Sequence, residues 1–162
     1  GFLSYKHFMK QDITDGSKWE YVYNDEFTAK IPDNMKSSDK LYYSSSGEEQ
    51  IAFYQNSEAC FSVAKIPFST NQSLKTIDLK TFYSKIEING EKLNMIPINN
   101  GYYYAIDQKA KNVFDNTENV FSIEGVFKGD EAVYSVVIQC RKEDKAEYKD
   151  SMLKWLESFE LK

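Results

Sequence analysis

The sequence is poor in the residues on which most recognisable reactive sites depend. Its 162 residues include one histidine, two cysteines, three prolines and seven glycines. A single histidine excludes a metal site with three histidine ligands and gives a serine or cysteine triad little support. We expect this residue, His7, to lie on the surface. No stretch approaches the roughly 18 continuous apolar residues that a membrane-spanning helix requires.

Motifs that bind phosphate, calcium or an acyl group are absent or incomplete. No glycine-rich nucleotide loop occurs, and the turn at 12–16 lacks the calcium ligands expected at its third and twelfth positions. Ser151 and Lys154 match the S-x-x-K pattern without its companion motifs, and helical periodicity predicts both on the solvent side. We therefore predict that the chain is not an enzyme and has no catalytic residue, metal or cofactor.

The charge distribution limits the classes of partner. There are 25 acidic and 20 basic residues, giving a net charge of −5, and no basic run exceeds two residues. Nucleic acid is therefore excluded as a partner, and anionic membranes are weakly repelled. Because the chain begins at Gly1 and not at Met, we expect a preceding export signal or lipid anchor, through which alone it would contact a membrane. The predicted location is the cell envelope or the extracellular space, with the cytoplasm as the alternative.

Aromatic residues are abundant, with 12 tyrosines and 11 phenylalanines. They favour half-buried positions in sheets, and the length suits one domain. Apolar residues at helical spacing near the start predict an N-terminal helix or tether within 1–18, followed by a single α+β domain over 19–162.

Alternation and turn residues predict most of the strands. We expect a strand pair, or one kinked strand, over 21–31. Hairpins are expected over 51–66, 93–106 and 121–140, the second of them turning at Asn99-Asn100-Gly101.

Two helices and two loops complete the predicted elements. The helices are expected at about 77–88, stopped by Asn89-Gly90, and at about 144–157. The polar stretches 36–49 and 107–117 are expected to be loops. The predicted fold class is α+β, an antiparallel sheet of about six to eight strands covered by two or three helices.

Cys60 and Cys140 both lie in apolar strand-like runs. Two buried thiols are the first interpretation, and a disulfide between neighbouring strands is the alternative. Neither cysteine has a nearby partner at metal-ligand spacing.

Clustered tyrosines are the best candidates for an interaction surface. On a strand, Tyr102 and Tyr104 share one face and Tyr103 takes the other, so these rings either pack into the core or form a binding patch with Tyr42 and Tyr43. Tyrosine suits protein interfaces because it combines apolar area with a hydroxyl.

The order of elements resembles the PsbP-like fold. An early strand, Glu26 to Asp33, carries phenylalanine, alternation and then proline. A central helix follows a hairpin, and the chain closes with the strand Tyr134 to Gln139, an amphipathic helix and Ser158-Phe159. The resemblance implies a non-enzymatic accessory domain that binds a protein partner, often exported or lipid-anchored, without specifying the partner. The predicted alternatives are a small-molecule or lipid carrier, or a small enzyme, with a pocket between sheet and helices.

Overall fold

The computed structural model of the protein describes residues 10–38, 47–111 and 117–162. Within these ranges the strands are β1 (Trp19–Tyr23), β2 (Phe27–Pro32), β3 (Lys36–Ser37), β4 (Glu49–Gln55), β5 (Ala59–Pro67), β6 (Glu87–Ile88), β7 (Glu91–Lys92), β8 (Ile96–Ile98), β9 (Gly101–Lys111), β10 (Thr117–Lys128), β11 (Ala132–Arg141) and β12 (Glu160–Leu161). The α-helices are α1 (Leu79–Ser84) and α2 (Lys145–Glu157), and 3-10 turns span Gly16–Lys18, Gln72–Lys75 and Lys142–Asp144.

Hairpins build the main sheet. Seven strands follow the order β3-β4-β5-β11-β10-β9-β8, and β1-β2-β12 form a second sheet of three strands. The neighbouring strands pair antiparallel in both sheets. The α+β fold class and the antiparallel sheet are therefore confirmed, with a small second sheet that the sequence did not predict as a separate layer.

The first core lies between one face of the large sheet, the small sheet and α2. Alternate residues of the two long central strands point into it, among them Ile123 and Val136. The helix contributes Tyr148, Met152 and Trp155, all at most 1% exposed. This burial confirms the amphipathic pattern from which the terminal helix was predicted.

A second core covers part of the opposite face of the large sheet. Val126 and Val133 contribute from the sheet, and Leu79 of α1 packs against them together with Leu74 and Leu93. Both faces of β10 and β11 are therefore covered, and each of the two faces carries apolar residues.

The two helices differ from their predicted form in two details. Ser151 is buried and does not face solvent, since it lies on the packed side of α2 between Tyr148 and Trp155. The helix predicted at 77–88 ends at Ser84, and Asn89 and Gly90 both have positive φ in the turn of the β6–β7 hairpin. A two-residue hairpin turn requires this backbone conformation, so Asn-Gly acts here as a strand turn and not as a helix stop.

Both predicted loops are partly strand. β3 and the first residue of β4 fall within 36–49, and β9 extends to Lys111 before β10 begins at Thr117. These segments are polar because they extend away from the cores, while their backbones remain paired in the ladder. Residues 39–46 and 112–116 lie outside the described part of the chain.

The predicted N-terminal helix and His7 also lie outside the described residues, apart from the segment that begins at Lys10. Ile13 is 1% exposed in the first core, and its carbonyl accepts a hydrogen bond from the indole of Trp19. The boundary between 1–18 and 19–162 stays a prediction. No helix among the described residues has the length and apolar character needed to cross a membrane.

Candidate interaction surface

The predicted tyrosine cluster is divided between the two faces of the large sheet. Tyr104 is only 8% exposed, and with Tyr102 it packs against the second core. Tyr103 is half-buried against the first core. Tyr42 and Tyr43 lie outside the described residues. Strand alternation therefore sends the three neighbouring rings to opposite sides, as predicted for a strand.

Tyr104 belongs to a small group of acidic and tyrosine side chains on the second face, which we call the acidic cluster. Its hydroxyl donates a hydrogen bond to the Glu124 carboxylate on the neighbouring strand. Burial, followed by the nearby Glu48 carboxylate, raises the pKa of Glu124 to about 7. Burial and the carboxylates of Glu48 and Glu124 also raise the pKa of the Tyr83 hydroxyl. The acidic cluster therefore contains a carboxyl group, that of Glu124, which can gain or lose a proton near neutral pH.

Other polar side chains also lie on the second face of the large sheet. Ser122 Oγ accepts hydrogen bonds from the side-chain amides of Gln108 and Gln139, both at 3.0 Å. Gln50 Oε1 is buried without a hydrogen-bond partner among the described residues. The sequence pointed to none of these groups, because each lies on a different strand. The sheet register brings Ser122, Gln108 and Gln139 together, whereas Gln50 lies on β4, level with Val126.

In the described part of the chain, the most exposed large rings lie on β1, away from both cores. Tyr21 is 53% exposed and Tyr23 is 73% exposed. Their ring centroids are 6.3 Å apart, and Lys30 Nζ lies 5.5 Å from the centre of the Tyr21 ring. We call the outer surface of the three-stranded sheet, which carries Tyr21, Tyr23 and Lys30, the tyrosine face.

The small sheet holds these rings in place from its inner side. Val22 packs against the first core, and the Trp19 ring meets Trp155 edge-on at 6.1 Å. β2, the partner of β1, buries Phe27, Ala29 and Ile31. The sequence signal was the alternation of Tyr21 and Tyr23 with Val22, which predicted a strand but not which of its faces would stay exposed.

Several other polar side chains are buried and cannot contact a protein partner. Glu58 is fully buried, and its carboxylate accepts hydrogen bonds from Tyr148 at 2.8 Å and Ser57 at 3.0 Å. Arg141 and Asp144 form a buried ion pair at 3.2 Å. These contacts join the β4–β5 turn to the start of α2. Among the described residues, no group of three or more acidic, histidine or cysteine side chains could hold a metal ion.

Comparison with known proteins gives a result at the level of fold. No family model matches the chain, and no curated protein matches it. The solution structure of the cyanobacterial PsbP protein CyanoP from Synechocystis sp. PCC 6803 is similar, with a TM-score of 0.61 and 11% sequence identity over 96% of this chain and 99% of that one. The Ran-binding protein Mog1p of Saccharomyces cerevisiae also matches, with a TM-score of 0.44 and 12% identity over 88% and 95% of the two chains. The layout that resembled PsbP in sequence is therefore confirmed in three dimensions, and the chain has the PsbP-like fold.

Proposed function

We propose that this protein is a non-enzymatic accessory domain that binds a protein partner through the tyrosine face. The observation that carries the proposal is the pair of exposed rings on β1, Tyr21 and Tyr23, supported from behind by the first core. Tyrosine rings supply large contact areas, and each hydroxyl can hydrogen-bond at the rim of an interface. A partner would gain this area at a low entropic cost, because the backbone is already held in a sheet.

The tyrosines predicted from the sequence stay a proposed second surface. Tyr102 and Tyr103 are half-buried and retain exposed area, whereas Tyr104 is largely occupied by its contact with Glu124. A partner on the second face of the large sheet would contact Tyr102 and Tyr104, together with Tyr42 and Tyr43, whereas Tyr103 lies on the opposite face. The greater exposure of Tyr21 and Tyr23 supports the tyrosine face as the primary surface.

Site-specific photocrosslinking in cells of the source organism tests the primary surface. A photoreactive phenylalanine derivative at position 23 is expected to capture one protein species, and the same derivative at the exposed Lys154 of α2 is not. Adding Tyr21→Ser to the position-23 probe should abolish the capture, because the neighbouring ring is lost. Equal capture at positions 23 and 154, or none at position 23, would contradict the proposal.

We further propose that the domain belongs to an exported or lipid-anchored bacterial protein, with a cytoplasmic location as the alternative. The resemblance to PsbP-like proteins supports this location, and a membrane would be contacted only through a preceding anchor. Metabolic labelling of the full-length gene product with a fatty acid, combined with cell fractionation, tests it. Recovery of an unlabelled product in the cytoplasmic fraction would contradict it.

The acidic cluster supports a second candidate function, a small-molecule or lipid carrier or a small enzyme. Its supporting observation is the Tyr104–Glu124 pair on a face that also carries Gln50, whose buried oxygen has no hydrogen-bond partner in the described part of the chain. A ligand with a hydrogen-bond donor could satisfy that oxygen. Native mass spectrometry of the purified protein should then show a bound mass that Glu124→Gln reduces. A spectrum that contains only the bare chain would remove this candidate.

A further inference from the structure

Among the described residues β1 is an edge strand of the small sheet, and the direction of its backbone groups is determined by β2. The Lys18 carbonyl accepts a hydrogen bond from Asp33 N–H, and Asn24 N–H donates to the Phe27 carbonyl. The backbone N–H and C=O groups of the even-numbered residues of β1 therefore point toward β2. On β2, Lys30 N–H and C=O both bond the Ser158 hydroxyl on the side away from β1.

Tyr21 pairs with Lys30 across the two strands. Because Lys30 turns both backbone groups away from β1, the pair is of the non-hydrogen-bonded type. The N–H and C=O of Tyr21 therefore point outward from the open edge, and those of Tyr23 do the same two residues later. At Trp19 only the carbonyl is free to pair, because its N–H donates to the Gly16 carbonyl.

This edge is self-complementary. If a second β1 is placed antiparallel with Tyr21 opposite itself, Trp19 falls opposite Tyr23 of the other copy. About four backbone hydrogen bonds then form between the copies, two between the Tyr21 residues and one from each Tyr23 N–H to a Trp19 carbonyl. On the outer surface the two Tyr21 rings are then directly opposed, which is a favourable cross-strand pair, while Trp19 stays packed against the first core.

The positions of the charged residues on and next to β1 are also compatible with this antiparallel register. On the inner side Glu20 falls opposite Val22, so no two like charges are directly opposed. At each end Lys18 of one copy lies opposite Asn24 and next to Asp25 of the other. An edge that avoids association often carries a bulge or a proline, and β1, W-E-Y-V-Y with its regular register, has neither. Its one charged residue, Glu20, is exposed on the inner side, where this register places it opposite Val22.

We propose that two copies of this chain associate through β1, antiparallel and centred on Tyr21, so that the two small sheets form one six-stranded sheet. The arrangement goes beyond the proposed function and doubles the tyrosine face, which lies on one side of the joined sheet. It leaves α2 and both cores unchanged, because β1 contributes only its open edge.

Sedimentation velocity of the purified chain over a roughly hundredfold concentration range tests the proposal, since dimers are populated by mass action. The wild-type chain should show a monomer–dimer equilibrium. Tyr21→Lys and Tyr21→Glu should each weaken it by at least about tenfold, because position 21 faces itself and two like charges are then opposed. An equimolar mixture of these two variants should restore the dimer as a heterodimer.

Thr28→Lys is the matched control, because Thr28 lies on the same outer surface but on the central strand β2. It should retain the wild-type equilibrium, and circular dichroism should show that all variants are folded. A wild-type chain that remains monomeric, or folded charge variants whose mixture remains monomeric, would overturn the proposal. The measurement involves no partner protein, so its failure would leave the photocrosslinking result at position 23 unaffected.

Discussion

At the scale of single residues, the fully buried carboxylate of Glu58 shows how polar groups secure the packing of this domain. It lies in the turn between β4 and β5, and Tyr148 reaches it from α2 across 90 positions of sequence. Burial, followed by the Glu58 carboxylate, raises the pKa of the Tyr148 hydroxyl well above its usual range, so the phenol remains a donor. Sequence reasoning placed Tyr148 on the buried side of the helix but had no means of finding its partner.

Tyr148→Phe should lower the free energy of unfolding by about 1–3 kcal/mol, because it leaves a buried carboxylate oxygen without its donor. Urea denaturation followed by circular dichroism measures the change. Tyr23→Phe removes a hydroxyl from an exposed ring and should change stability by less than about 0.5 kcal/mol. Equal effects of the two substitutions would show that the Glu58 contact contributes nothing to stability.

Glu124 makes the stability of the domain depend on pH. Its pKa of about 7 lies above the ordinary value of 4.5, so the folded state disfavours the ionised form. The cost is therefore absent below about pH 4.5 and fully developed above about pH 7. At about 1.4 kcal/mol per pKa unit it amounts to at most about 3.5 kcal/mol.

Glu124→Gln cannot ionise and should escape this cost. The free energy of unfolding of the variant, relative to wild type, should rise by about 2–3 kcal/mol between pH 4.5 and pH 8. Urea titrations of both proteins across this range measure the difference, with Glu157→Gln as a control for loss of an exposed carboxyl. A difference that does not vary with pH would contradict the assignment to Glu124.

At the scale of elements, the closeness of α2 to the large sheet depends on a glycine. A Cβ built at Gly125 would lie 2.7 Å from Leu156 Cδ1 and 2.9 Å from Phe127 Cε2. The periodicity of both elements was readable from the sequence, and both were correctly located. The distance between α2 and the sheet could not be predicted, because it depends on which residues of the two faces meet.

Gly125→Ala should therefore lower the free energy of unfolding by about 1–3 kcal/mol through overpacking. Gly16→Ala is the matched control, since its added Cβ would find no atom nearer than 3.7 Å. The loss of stability is measured by comparing the midpoints of urea denaturation of the two variants. A midpoint for Gly125→Ala equal to that of the control would mean that the helix can shift without cost.

At the scale of the whole molecule, sheet topology decides the state of the cysteines. Cys60 and Cys140 lie on adjacent strands, but Cys60 is paired with Gln139 and Cys140 with Ala59, so the two thiols point to opposite faces. Both are buried and neither forms a disulfide, and burial raises the pKa of Cys60 to about 11. The first interpretation, two buried thiols, is confirmed over the disulfide.

Both thiols should accordingly react with a disulfide reagent only after unfolding. In native buffer the reaction should be slow even at mildly alkaline pH, because the thiolate is the reactive form and is scarce in the folded chain. In urea two thiols per chain should be titrated within minutes. Recovery of no free thiol in urea would show a disulfide and contradict the sheet register at these positions.

The sequence alone determined the fold class, the hairpins and the terminal helix of this protein, because periodicity and turn residues are local properties of the chain. Only the tertiary structure decided which aromatic residues stay exposed. Tyr104 and Tyr21 occupy similar alternating strands, but Tyr104 lies in the large sheet beneath the second core, whereas Tyr21 lies at the open edge of the small sheet. The exposure of a side chain depends on what covers its strand, and that covering comes from residues far away in the sequence.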